Sequence, residues 1–229
     1  MKPTNIFLVR HGESAGNVDK TTYSSTPDYA VNLTENGIKQ SKGVGKVLFN
    51  SLVDSDDTFA VYYSPFFRTI QTLNGIATQF PTNFFSKKWV REEPRLREQE
   101  WCGKLPDTGY SFKQEKERFL YGHFYYRFNN GESCADVYDR VSDFMDTLHR
   151  DFEKPNYPNN VLLVTHGMTL RVFLMRWLHK TVEEFESWGN PKNGEIFTLR
   201  LNPFGKYDLI TPMRANANDR HQYKCKLEI

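Results

Sequence analysis

The chain has 229 residues, 38% hydrophobic and 15% aromatic, with 30 lysines and arginines against 28 aspartates and glutamates. This composition excludes a disordered polymer, and the length suits one domain with an insert and a substantial core. A net charge of +2 is too small to argue for nucleic acid or an anionic membrane as partner.

Residues 6–10 read as a strand buried on both faces, because Ile6-Phe7-Leu8-Val9 is a continuous β-favouring apolar run closed by Arg10-His11-Gly12. Residues 12–33 are polar and turn-rich and are expected to form a loop over the sheet edge. Thr34 then caps a helix whose apolar stripe is Ile38, Val44, Val47, Leu48 and Leu52. Residues 59–63 form a second strand, stopped by Ser64-Pro65, with Pro65 in the first turn of a helix through about residue 80. A third strand is expected near 83–90. Residues 92–130, charged and rich in aromatics from Tyr110 to Phe128, break the rhythm as a helical insert over the active site. Ser133 or Glu132 starts the next helix, through about residue 152, with Val137, Val141, Phe144 and Leu148 along one face. A strand at 161–165, a helix from Met168 to about His179, and strands near 195–201 and 206–211 follow. The alternation predicts an α/β three-layer sandwich: a mainly parallel central sheet, helices on both faces, and one domain over 1–229 with its insert at 92–130.

The first apolar run is too short for a signal-peptide core, and no stretch approaches membrane-spanning length. Cys102, Cys134 and Cys225 form an odd, widely spaced set without a C-x-x-C pair. That argues against a disulfide framework and a zinc site, and a cytoplasmic setting is expected.

The chemistry centres on two histidines in one context, since Val161-Leu162-Leu163-Val164-Thr165-His166-Gly167 repeats the strand-His-Gly pattern of His11. Residues just past parallel strands lie at the sheet's carboxyl edge, where open α/β folds place their ligand crevice. Zinc needs a third protein ligand, whereas here the cations Arg10 and Arg68 attend the histidines. Guanidinium forks match phosphate oxygens, so the set reads as a phosphoryl site. One neutral imidazole would be the nucleophile and the other, protonated, a donor to phosphoryl oxygens.

These residues resemble the histidine phosphatase superfamily, which includes the cofactor-dependent phosphoglycerate mutases. Arg10-His11-Gly12-Glu13-Ser14 with Asn17 is similar to that family's opening motif, whose histidine becomes transiently phosphorylated. Arg68, in Ser64-Pro65-Phe66-Phe67-Arg68-Thr69, resembles its second phosphate-binding arginine. Leu96-Arg97-Glu98-Gln99-Glu100-Trp101 resembles the segment carrying the proton donor, which maps onto Glu98, and Thr165-His166-Gly167 resembles the second histidine. Phe124-Tyr125-Tyr126-Arg127-Phe128, Gly131-Glu132-Ser133 and the stretch from Asp136 to Val141 resemble a fungal and plant branch generally taken to be phosphatases. Cys102 stands where that branch tends to carry glycine, which leaves Glu100 as an alternative acid.

The resemblance implies hydrolysis of phosphate monoesters, with His11 and Glu98 catalytic and Arg10, Asn17, Arg68 and His166 binding phosphate. It implies no metal, no cofactor and a small phosphorylated substrate, without nucleic-acid or membrane partners; a homodimer stays open. A mutase needs the same residues, but the insert lacks the paired arginines and the Tyr-Gly sequence of the mutases this chain resembles. A non-catalytic binding protein on this scaffold is the remaining alternative. The other histidines, at 123, 149, 179 and 221, read as surface or packing residues.

Overall fold

A computed structural model describes residues 2–52, 58–85, 87–101 and 112–216. One sheet contains β1 (Asn5–Arg10), β2 (Phe59–Tyr63), β3 (Val90–Glu92), β4 (Asn160–Thr165), β5 (Ile196–Leu201) and β6 (Tyr207–Leu209), ordered β3-β2-β4-β1-β5-β6. β1 to β4 run parallel, while β5 and β6 return antiparallel on the far side of β1. The helices are α1 (Ala15–Val18), α2 (Glu35–Asn50), α3 (Phe67–Ala77), α4 (Phe112–Tyr121), α5 (Cys134–Phe152), α6 (Gly167–Trp177) and α7 (Val182–Glu186).

Strand side chains alternate between faces, so each continuous apolar run feeds two cores. Ile6, Leu8, Ala60, Tyr62, Val161 and Leu163 pack with α5 and α6. Phe7, Val9, Phe59, Val61, Leu162 and Val164 face the opposite layer, with Val44 and Leu48 of α2 and Ile76 of α3. The three-layer sandwich expected from the alternation is therefore present. Ser133 caps α5 in a reciprocal box with Asp136, and Val137, Val141, Phe144 and Leu148 are fully buried, as the periodicity predicts.

Several local expectations are corrected. The buried face of α2 is Gly37, Ser41, Val44, Gly45 and Leu48, whereas Ile38 and Val47 are 43% and 58% exposed. The reason is close helix approach: a Cβ on Gly45 would stand 2.6 Å from the Ile76 carbonyl oxygen, so small residues make this seam. α3 begins after Pro65, with Phe66 as its cap, and ends at Ala77, where Thr78 turns its hydroxyl back onto the Gly75 carbonyl. The strand expected at 83–90 is reduced to β3. Asn83 adopts φ +66°, and Phe84 and Phe85 fold onto Phe59 and Phe80 instead of pairing with a neighbour. The loop 12–33 contains α1 and two 3-10 turns, Lys20–Ser24 and Asp28–Ala30. α7 was not anticipated, although Thr181 and Glu184 form the capping box that marks it. In the insert Phe124 and Phe128 are buried, but Phe119, Tyr121 and Tyr125 are exposed. Tyr110, Cys102, Cys225 and His221 lie outside the described residues.

Candidate active site

The sheet register makes the site. β1 and β4 are adjacent and parallel with Arg10 opposite Thr165, so the next residues, His11 and His166, emerge together at the carboxyl edge. Their rings stand edge to face, with centroids 5.2 Å apart, and both side chains are buried. The glycine after His11 is required by close approach of backbone, while the one after His166 faces the tip of a side chain. A Cβ on Gly12 would meet the Gly37 carbonyl oxygen at 2.4 Å, and one on Gly167 would meet the Asn190 side chain at 2.4 Å.

His11 Nδ1 lies 2.7 Å from the carbonyl oxygen of Gly12. A carbonyl only accepts, so Nδ1 carries the proton and Nε2 keeps a bare lone pair. Burial first, then the charges of Arg68 and Arg10, holds the His11 pKa well below the ordinary histidine range. The ring is therefore neutral at neutral pH, as a nucleophile must be. The expectation of a protonated His166 is corrected: burial, then Arg68, pushes its pKa well down too, so it is also neutral at rest.

β2 and α3 deliver Arg68, whose Nη1 donates to the backbone carbonyl of Asp28 at 2.6 Å and pairs with its carboxylate at 2.9 Å. The guanidinium lies over the Phe66 ring, 4.8 Å from its centroid. Arg10 donates to the Pro191 carbonyl, and no carboxylate among the described residues lies within ion-pair distance of it. Asn17, on α1, accepts at Oδ1 from Ser14 N–H, the Ser14 hydroxyl and Asn193 Nδ2. With that oxygen occupied, its Nδ2 remains as the donor for a ligand.

Glu98 arrives from the segment after β3. Its carboxylate accepts from the Gln99 N–H at 3.0 Å and, more loosely, from Met168 N–H and Thr169 N–H at 3.4 and 3.3 Å. It thus lies on the first turn of α6, one residue past His166, where helix N–H groups favour negative charge. Glu100 is held differently: its backbone N–H donates to Glu132 at 3.0 Å, and its carbonyl accepts from the Glu132 N–H. The geometry brings the Glu98 carboxylate to the His166 end of the sheet.

Other residues of the site were missed in the sequence. Arg140 of α5 donates to the carbonyls of Arg95, Arg97 and Glu98 while paired with Glu132. Thr165 and Thr169 hydroxyls hold the Leu96 and Arg97 carbonyls. Asn193 spans His11, Gly12 and Asn17 through its amide nitrogen. Ser64 Oγ lies 2.8 Å from His166 Nε2. Tyr23 of the loop 12–33 packs over Gly16, and burial raises its phenol pKa beside Arg68. Arg140, Glu132, Ser64 and Thr165 fall within segments that carried the family resemblance; nothing in the local sequence singled out Asn193 or Tyr23.

Among the described residues no group of three or more His, Cys, Asp or Glu side chains is disposed to hold a metal, and no helix is long and apolar enough to cross a membrane. A separate cavity of about 450 Å³ lies beside β6, lined by Leu178, Trp188, Tyr207 and Met213 among others. It holds none of the residues above.

A model of the histidine phosphatase superfamily (branch 1) matches residues 6–207. The chain is 41% identical over 219 residues to phosphoglycerate mutase-like protein AT74 of Arabidopsis thaliana, covering 90% of this chain and 68% of that protein. It is 29% identical to the broad-range acid phosphatase DET1 of Saccharomyces cerevisiae, covering 88% of this chain and 86% of the relative. A putative alpha-ribazole-5'-P phosphatase from Escherichia coli shares the fold, with a TM-score of 0.70 at 19% identity over 93% of this chain and 97% of that one.

Proposed function

The chain belongs to branch 1 of the histidine phosphatase superfamily, and from that membership we propose that it hydrolyses phosphate monoesters through a phosphohistidine on His11, without a metal ion. The observation that carries this reading is the bare Nε2 of His11, created by the Nδ1 hydrogen bond to Gly12 and set beside Arg10, Arg68 and His166. A relative named as a broad-range acid phosphatase supports hydrolysis.

In the reaction the Nε2 lone pair attacks phosphorus in line while the bond from phosphorus to the ester oxygen breaks. Glu98, as the acid, gives its proton to the departing oxygen. The resulting carboxylate then takes a proton from water as the hydroxide attacks phosphorus, the N–P bond breaks, and inorganic phosphate leaves. Arg10, Arg68, the Asn17 amide and His166 hold the equatorial oxygens, so the cations of the chain itself meet the charge of the transferring group.

Phosphate release from alkyl and sugar phosphates, measured against conversion of 3- to 2-phosphoglycerate, tests the assignment. Release should dominate; efficient isomerisation without release would assign a mutase, and absence of both a binding protein. Activity should survive exhaustive EDTA and be inhibited by vanadate, a mimic of the transferring phosphoryl group. Zinc-restorable loss on chelation would instead make His11 and His166 metal ligands. We read the substrate as a small molecule in a cytoplasmic setting, with neither nucleic acid nor membrane as partner. The exposed Leu120 and Tyr121 of α4 are compatible with a homodimer.

A further inference from the structure

Ser64 is fully buried where the chain leaves β2, its own N–H fixed to the Val164 carbonyl. Its Oγ is an acceptor for the Phe66 N–H at 3.4 Å and lies 2.8 Å from His166 Nε2. Among the described residues the hydroxyl proton has one acceptor within reach, the Nε2 lone pair. The other ring nitrogen, Nδ1, is buried and has no hydrogen-bond partner among the described residues.

Two tautomers can be compared by counting unsatisfied groups. With the proton on Nε2, that nitrogen would donate to Ser64, the buried hydroxyl proton would have no acceptor, and the Nδ1 lone pair would oppose an arriving anion. With the proton on Nδ1, the hydroxyl donates to Nε2 and one group stays open, an N–H donor that a phosphoryl oxygen completes. Buried polar groups left without partners are costly, so the second arrangement holds.

We propose that Ser64 is a positioning residue that keeps the neutral His166 as an Nδ1–H donor toward the phosphoryl group. The inference rests on the phosphatase reading of the site for what Nδ1–H meets. It removes the need for a proton from solution on His166: the buried ring donates while uncharged, and Arg10 and Arg68 carry the positive charge. Ser64 thereby does for His166 what the Gly12 carbonyl does for His11. The two acceptor and donor roles are opposite, one ring attacking through a lone pair and the other donating through N–H.

Nitrogen-15 NMR of the imidazoles in the free wild-type protein reads the tautomer directly. The proton on His166 should reside on Nδ1, and in Ser64→Ala it should redistribute toward Nε2. Vanadate affinity and kcat/KM for an alkyl phosphate should fall about ten- to a hundredfold in Ser64→Ala at pH 8, the size expected for one hydrogen bond to a charged group. The loss should shrink at lower pH, where protonation restores a donor at Nδ1, and Ser64→Thr should recover affinity by restoring the hydroxyl. A wild-type spectrum with the proton on Nε2 overturns the proposal even if Ser64→Ala fails to fold. So does a folded Ser64→Ala with wild-type tautomer and pH profile. If the wild type shows Nδ1–H but releases no phosphate from any monoester, the positioning by Ser64 stands and the reaction assignment falls.

Discussion

At His11 a single hydrogen bond separates a packing imidazole from a nucleophile. The Gly12 carbonyl accepts the hydrogen bond from Nδ1–H, and Nε2 is left to react. His11→Ala should therefore abolish turnover by several orders of magnitude while the protein stays folded, because the covalent route is deleted rather than weakened. Retention of more than about a tenth of wild-type activity in a folded variant would rule out the phosphohistidine. The acid is separable by leaving group. Protonation matters most when the departing oxygen is a poor leaving group, so Glu98→Gln should slow alkyl phosphate hydrolysis far more than p-nitrophenyl phosphate hydrolysis. Phosphohistidine should accumulate in that variant, since the same carboxylate activates water. Glu100→Gln should show neither effect, because in the proposed reaction Glu98 carries the proton. Exchange of the two phenotypes would move the acid to Glu100. His11 and His166 were legible because strand-His-Gly occurs twice. Asn193 was not, because its role arises only when residues 181 apart in the chain meet at the Gly12 carbonyl.

Among the elements, β1, β2, β4 and α5 were legible because burial and capping agree with local pattern, as Ser133 with Asp136 shows. β3 was not, since three residues beside Phe84 and Phe85 leave no period to read. The α2 face was misread because its contact with α3 uses glycine and serine rather than a large apolar stripe. The segment after β3 has almost no ladder of its own, and α5 and α6 hold it instead. Arg140 grips three of its carbonyls and Glu132, while Thr169 and the first turn of α6 hold Arg97 and Glu98. Removing the guanidinium leaves Glu132 with Arg97 as its remaining ion-pair partner and frees the acid-bearing loop. Arg140→Met should thus cost about 1–3 kcal/mol of stability, the range for losing hydrogen bonds to a charged group. It should also reproduce in weaker form the leaving-group dependence of Glu98→Gln. Thermal unfolding with the two-substrate comparison checks both, and a loss of stability with no change in substrate ratio would show that α5 supports the fold without placing Glu98.

For the molecule as a whole, assembling a phosphoryl site at the sheet edge has a consequence for stability. Two histidines are buried beside two arginines, and burial, reinforced by Arg68, holds both pKa values well below the ordinary range. The unfolded chain has no such environment, and its histidines take up protons near pH 6.5. Below that pH the unfolded state binds more protons than the folded one, so stability falls as pH falls, by about 1.4 kcal/mol per pH unit for each histidine. Above it both states are neutral there and the contribution vanishes. Depressed carboxylates such as Asp151 act in a lower window, since their stabilisation is present above their ordinary pKa and lost only as pH drops through it. The interval between about pH 6.5 and 5 therefore isolates the histidines. Denaturant unfolding across that interval should show a steep loss of stability in the wild type and a flatter one in the double variant His11→Ala, His166→Ala. A residual slope should come from His149, whose pKa burial also lowers. Equal slopes in the two proteins would mean that both histidines titrate as they do in the unfolded chain. The neutral nucleophile proposed for the site would then be lost at mildly acid pH.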